Sequence, residues 1–169
     1  GRAMAAIGSS PQYTSTEAVR GALGVDLHDL PDQQILDAEL DVELTLDLGT
    51  WCLGYSAKLA VGASATEAQK TLQACLRTYA KWYCATEFSL KVLTFKQVYG
   101  DGKAEQRRFG NFDWEKLATS CKAKRDTYKQ QILQIDPDSA ATYDGTASYS
   151  LIGRGVPAYN PITNTNEGG

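Results

Sequence analysis

The segment TEAQKTLQACLRTYAKWYCATEFSLKVLTFKQVY, residues 66–99, contains neither Gly nor Pro and decides how this chain folds. Leu72, Cys75, Leu76, Tyr79, Trp82, Tyr83, Thr86 and Leu90 recur at helical spacing, which predicts one long amphipathic helix at the centre of a bundle. Gly62 to Ser64 reads as a loop before it, and Thr66 with Gln69 has the spacing of a capping box. The last part, SLKVLTFKQVYG at 89–100, alternates apolar and polar residues and is rich in β-formers, so a strand also suits it. Gly100-Asp101-Gly102 has the chemistry of a hairpin tip. A helix, and a β-hairpin or extended loop, both stand for residues 90–109.

Working outward, Thr14 and Glu17 have capping-box spacing ahead of Ala18, Val19, Ala22 and Leu23, and Gly24 is a helix stop. That predicts a short first helix. After a turn from Val25 to Pro31, Leu30 is placed to staple onto Ile35, and Asp32 adds negative charge at the start of a second helix. In it Leu36, Leu40, Leu44 and Leu48 form one apolar row and Ile35, Val42 and Leu46 a second. The acids fall mostly between these rows, giving an acidic outer face on a helix that runs to about Leu53, weakened by Gly49 and Gly54. Asn111 or Asp113 caps a fourth helix, with Trp114, Leu117, Ala118, Cys121, Tyr128, Ile132 and Ile135 as its stripe. Lys122, Lys124, Arg125 and Lys129 are expected mainly outside that stripe, and Asp136-Pro137 ends the helix.

The expected class is therefore mainly all-α: a four-helix bundle over residues 13–135 with a long central helix. Residues 1–12 read as a tag remnant (Gly1 to Ala3 precede Met4) and a disordered start. Residues 136–169 read as a flexible tail, rich in Gly, Ser, Thr, Asn and Pro and without helical period. Tyr143, Tyr149, Leu151, Ile152, Val156, Tyr159 and Ile162 give that tail apolar points with which to dock.

Composition narrows the function. The 169 residues are 43% hydrophobic and 22% charged, as in an ordinary globular domain with one core. No apolar run approaches a bilayer span and no signal segment stands at the start, so neither a membrane nor an exported protein is expected. Cys52, Cys75, Cys84 and Cys121 show no CxxC pair and read as buried thiols. His28, the sole histidine, lies in the polar turn DLHDLPD and reads as a solvated surface residue, which leaves no His pair for a metal and only His28 to serve a Ser or Cys nucleophile. GDGK and GRG lack the spacing of a phosphate loop. No cofactor, metal or catalytic residue is expected.

Charge is unevenly placed. Residues 21–57 hold eight acids and no Lys or Arg, whereas residues 58–135 hold fourteen Lys and Arg against seven acids. Each block is either a solvated helix face paired within one bundle, or half of an interface in which the acidic face of one copy meets the basic face of the next. The candidate acidic face is Asp37, Asp41, Glu43 and Asp47. Lys103, Arg107 and Arg108 around Phe109 form a basic loop able to touch phosphate.

The segment YTSTEAVRGALGVDLHDLPDQQILDAELDVELTLD, Tyr13 to Asp47, resembles the opening of the head-to-tail connector (adaptor) proteins of tailed bacteriophages. Its T-x-x-E-A-V-R helix leading through DLPD into an acidic helix carries the likeness, and the later order of helices and polar tail is similar. The resemblance implies a non-enzymatic head-completion protein of the virion, assembled in the bacterial host cytoplasm. Its copies, commonly twelve, form a ring under the portal protein and extend the DNA channel toward the next head-completion or tail protein. By that resemblance DNA passes without sequence-specific binding and no membrane is involved. The tail residues Tyr149, Leu151, Ile152, Arg154, Val156 and Tyr159 become the expected portal contact, and the acidic face a channel wall or subunit interface. A small helical nucleic-acid-binding or regulatory protein using the basic middle region is the alternative reading, and carboxylate chemistry on the acidic helix a further one.

Overall fold

The computed structural model describes residues 5–98, 113–141, 159–160 and 165–166, without the side chains of 93–98, 141 and the last two pairs. The chain is mainly helical, as its periodicity predicts. Seven helices occur among the described residues rather than four: α1 Thr16–Leu23, α2 Asp32–Leu36, α3 Leu40–Trp51, α4 Tyr55–Leu59, α5 Glu67–Val98, α6 Trp114–Ile135 and α7 Asp138–Ala141. Two short antiparallel ladders accompany them, β1 Ala6–Ile7 with β2 Thr14–Ser15, and β3 Tyr159–Asn160 with β4 Thr165–Asn166.

The long helix forms where its sequence places it. Thr66 and Gln69 make the reciprocal box, the Thr66 N–H donating to Gln69 Oε1 at 2.9 Å and the Gln69 N–H to Thr66 Oγ1 at 3.3 Å. Helix α5 then continues through Val98, so residues 90–98 are helix and not strand. Residues 99–112, where the hairpin tip was expected, lie outside the described residues. Leu72, Leu76, Tyr79, Tyr83, Cys84 and Phe88 are buried along α5 and Trp114, Ala118, Cys121 and Ile132 along α6, and the two helices pack along each other. Asp113 caps α6 by accepting the Lys116 N–H at 3.0 Å. Gln73, near the start of α5, holds the Leu59 carbonyl at 2.7 Å, and Lys58 beside it reaches Asp136 at the end of α6. Helices α5 and α6 are therefore antiparallel, with α1, α3 and α4 packed on α5.

Four expectations need correction. The second helix does not run unbroken to Leu53: after α2 the chain turns through Asp37 to Glu39, and Glu39 takes a left-handed conformation at φ 51°. The turn lets Ile35 and Leu40, on differently directed helices, both enter the core at 1% and 2% exposure. The cap of α1 is Ser15, accepting the Ala18 N–H at 3.2 Å, and not Thr14, because the helix begins at Thr16 and Ser15 directly precedes it. Residues 5–12, expected to be disordered, include β1, and Ile7 is buried beside Tyr13 in the core. The tail does not begin at Asp136: a short turn at 136–137 leads into α7, and Ser139 is fully buried.

Candidate functional site

The acidic helix and the faces around it are the region that the sequence singles out, and geometry sorts its residues in an unexpected way. On α3, Leu40, Leu44, Leu48 and Trp51 point into the core. The acids flank this buried row instead of occupying the opposite side. Asp47 is half-buried and accepts two donors, the Tyr79 hydroxyl at 2.5 Å and the Trp51 indole N–H at 3.1 Å. Glu43 pairs with Lys91 of α5 at 2.6 Å. Asp41 is half-buried, and Asp37 is exposed with the Gln33 side-chain amide donating to it at 2.7 Å.

The side of α3 that faces solvent is apolar. Val42 is 54% exposed, Leu46 68% and Leu53, just past the helix end, 49%. Val42 and Leu46, one turn apart with exposed Gly49 beyond them, lie on the side of α3 opposite the core row, and Leu53 is exposed in the turn after the helix. Ile35, the other member of the expected second row, is buried, so that row is split between two surfaces. Periodicity could not assign it, because a helix apolar on two sides shows no preferred face.

Charges of the basic block are partly spent within the chain. The Lys129 ammonium sits 5.0 Å from the Trp51 ring centre, and half-buried Arg125 favours ionisation of Glu87 and of Tyr79. Burial, with the Glu43 carboxylate as the next cause, pushes the Glu87 carboxyl above its ordinary range. Burial and the bond to Asp47 likewise raise the Tyr79 hydroxyl, which stays protonated as a donor. Arg125 and Lys129, expected mainly outside the stripe, thus lean toward the α3–α5 seam. By contrast Arg77, Lys81, Lys116, Lys122 and Lys124 have no carboxylate within ion-pair distance among the described residues.

Two further pairs fix the ends of this region. Arg20 of α1 bonds Asp32 at the start of α2 and holds its carboxyl below the ordinary value. Lys58 of α4 reaches Asp136 at 2.6 Å and the Ser139 hydroxyl at 2.5 Å, while the Leu53 N–H donates to the Ser139 carbonyl at 3.2 Å. That cluster ties α7 to the turn after α3, and nothing in the polar composition of the tail announces it.

Lys103, Arg107 and Arg108 of the basic loop lie outside the described residues, as do Tyr149, Leu151, Ile152, Arg154 and Val156 of the tail. Tyr159 opens β3, whose backbone pairs with Thr165–Asn166. Among the described residues no group of His, Cys, Asp or Glu could hold a metal ion, and no helix is long and apolar enough to cross a membrane. Cys52, Cys84 and Cys121 are buried, Cys75 is half-buried, and all four are free thiols. His28 is exposed, its backbone N–H bound to Asp26. Comparison of the chain with protein-family models, with curated proteins and with solved structures finds no match.

Proposed function

We propose that this chain is a structural subunit of the head-to-tail junction of a tailed bacteriophage, a connector that assembles as a ring on the portal protein. The observation that carries this reading is the outward apolar pair Val42 and Leu46 on the acidic helix whose sequence resembles that family, with exposed Leu53 just beyond its end. Exposed apolar residues grouped on the outer side of a helix already buried by its other side suit a surface covered in an assembly. The ring reading supplies the cover, a neighbouring copy. Exposed Asp37 and half-buried Asp41 then lie beside the contact, and Glu43 and Asp47 serve to fix α3 on α5.

In this reading the protein has no catalytic role. DNA passes through the ring, and the surface away from the portal receives the next head-completion or tail protein. The tail from residue 142 onward, with Tyr149, Leu151, Ile152, Arg154, Val156 and Tyr159, engages the portal.

The test is the mass of the protein by light scattering, alone and after mixing with portal-bearing, DNA-filled capsids of the phage that encodes it. Attachment at the portal vertex, lost when the chain is truncated after Ala141, is the expected result. A protein that stays monomeric and ignores capsids overturns the connector reading.

A further inference from the structure

A cleft of about 310 Å³ opens between the β2–α1 junction and α5, lined by Gln12, Tyr13, Thr14, Ser15, Ala18, Arg77, Thr78 and Lys81. Its lining is rich in hydrogen-bond donors and contains no acid. Arg77 and Lys81 stand one turn apart on α5, and neither pairs with a carboxylate among the described residues. On the facing wall the Ser15 oxygen already accepts the Ala18 N–H, so its hydroxyl proton remains to be donated. Gln12 uses one amide N–H on the Thr14 carbonyl and keeps the other. Tyr13 lends only its ring: Thr45 Oγ1 donates to the Asp41 carbonyl, so the Tyr13 hydroxyl must be the donor in its 2.8 Å bond to Thr45, away from the cleft.

Positive charge continues out of the cleft. Lys81 lies 4.9 Å from the Trp82 ring centre, and Lys124 of α6 lies 4.3 Å from the same centre. A cleft built for one small anion would need no such extension, whereas a chain of phosphates uses both a first contact and a track of cations with an aromatic among them. An Arg guanidinium presents parallel N–H groups to two oxygens of a tetrahedral oxyanion, and the Lys and hydroxyl donors suit the remaining oxygens.

We propose that this cleft binds a phosphate group of a nucleic-acid strand, with Arg77 and Lys81 as its principal ligands and Lys124 receiving the next part of the backbone. The proposal does not depend on the connector reading. The chain carries a formal net charge of -3, so nucleic acid is repelled by the molecule as a whole and binding reports a local site.

The experiment uses the full chain and three probes: a fluorescent oligothymidine, inorganic phosphate and an oligoglutamate peptide. Arg77→Ala/Lys81→Ala is the test variant. Lys122→Ala, an exposed lysine of α6 outside the cleft, is the control. The expected result is oligothymidine binding at low salt that weakens steeply as salt rises and is weakened about tenfold or more in the double variant but not in the control. Millimolar inorganic phosphate should compete. Phosphate binding without oligothymidine binding overturns the strand assignment and points to a small phosphorylated ligand; tighter binding of oligoglutamate points to an acidic peptide and overturns it as well. Undiminished binding by the double variant, or none by the parent at low salt, removes the site altogether. Circular dichroism of the variant guards against unfolding, and since neither side chain makes a hydrogen bond or ion pair among the described residues the helix should persist.

Discussion

The Tyr79 hydroxyl of α5 donates to Asp47 Oδ2 of α3 at 2.5 Å, and the Trp51 indole N–H reaches the same oxygen at 3.1 Å. The Trp51 and Tyr79 rings also meet edge-on, 5.0 Å between centres. One carboxylate thereby secures the helix that carries the candidate assembly face to the helix that organises the fold. Tyr79→Phe keeps the ring packing and removes a donor from a half-buried charge, which costs about 1.5–3 kcal/mol. Urea unfolding should show a lower midpoint at unchanged slope. A shift equivalent to less than about 0.5 kcal/mol, the range of an ordinary surface change, would mean that water satisfies Asp47 equally well.

Leu44 and Leu46 stand two residues apart on α3 at 0% and 68% exposure. Their substitutions should separate folding from assembly. Leu44→Ala opens a core cavity and destabilises the chain by about 2–5 kcal/mol. Leu46→Asp leaves the core intact, so its unfolding midpoint should stay within about 0.5 kcal/mol of the parent. If the outer face of α3 joins copies, Leu46→Asp also lowers the mass of any self-assembled species seen by light scattering. Unaltered assembly of Leu46→Asp, in a protein that does assemble, moves the interface off this face.

Much of this fold is written in local pattern. The Thr66 and Gln69 box, the Asp113 cap and the Gly24 stop are short-range signals, and each appears where its residues predict. What could not be read was which side of α3 faces inward. Leu44 and Leu46 are equally apolar, and tertiary packing, in which Leu40, Leu44, Leu48 and Trp51 join the core and Asp47 bonds Tyr79 of α5, decides between them. The break at Glu39 was hidden for a similar reason, because no Gly or Pro marks it and its advantage lies in burying Ile35 and Leu40 together. Burial of Ile7 and Ser139 depends on partners far away in sequence, so polar flanking composition made their segments look like free termini.

The Lys58–Asp136 pair gives the stability curve an acid limb. Lys58, the largest cause, holds the Asp136 carboxyl below its ordinary value of 3.8 in the folded protein. A depressed folded value means that the unfolded chain binds the proton first, so the pair's contribution is complete above about pH 4 and disappears as pH falls through the folded value. Arg20 depresses Asp32 in the same direction. Lys58→Ala should cost about 1 kcal/mol near neutrality, where the pair is formed, and lose that difference from the parent as pH falls below the ordinary carboxyl value of 3.8 and through the lower folded one. A constant difference between the two proteins across this range would show that Lys58 acts through packing rather than charge.

Gly8 and Gly24 both have positive φ, 87° and 71°, but differ in what surrounds them. At Gly24, the cap of α1, an added Cβ meets nothing within 4 Å, so Gly24→Ala carries only the backbone penalty, about 1 kcal/mol. At Gly8 the same atom would lie 2.6 Å from Cδ2 of Tyr13 and 3.0 Å from the Pro11 carbonyl oxygen. Tyr13 is itself buried and bonded to Thr45 of α3, so it has little room to withdraw. Gly8→Ala should therefore lower the thermal midpoint clearly more than Gly24→Ala, because strain and a displaced core ring add to the backbone term. Equal shifts would indicate that the β1–β2 ladder gives way at little cost and that Ile7 and Tyr13 are dispensable to the core.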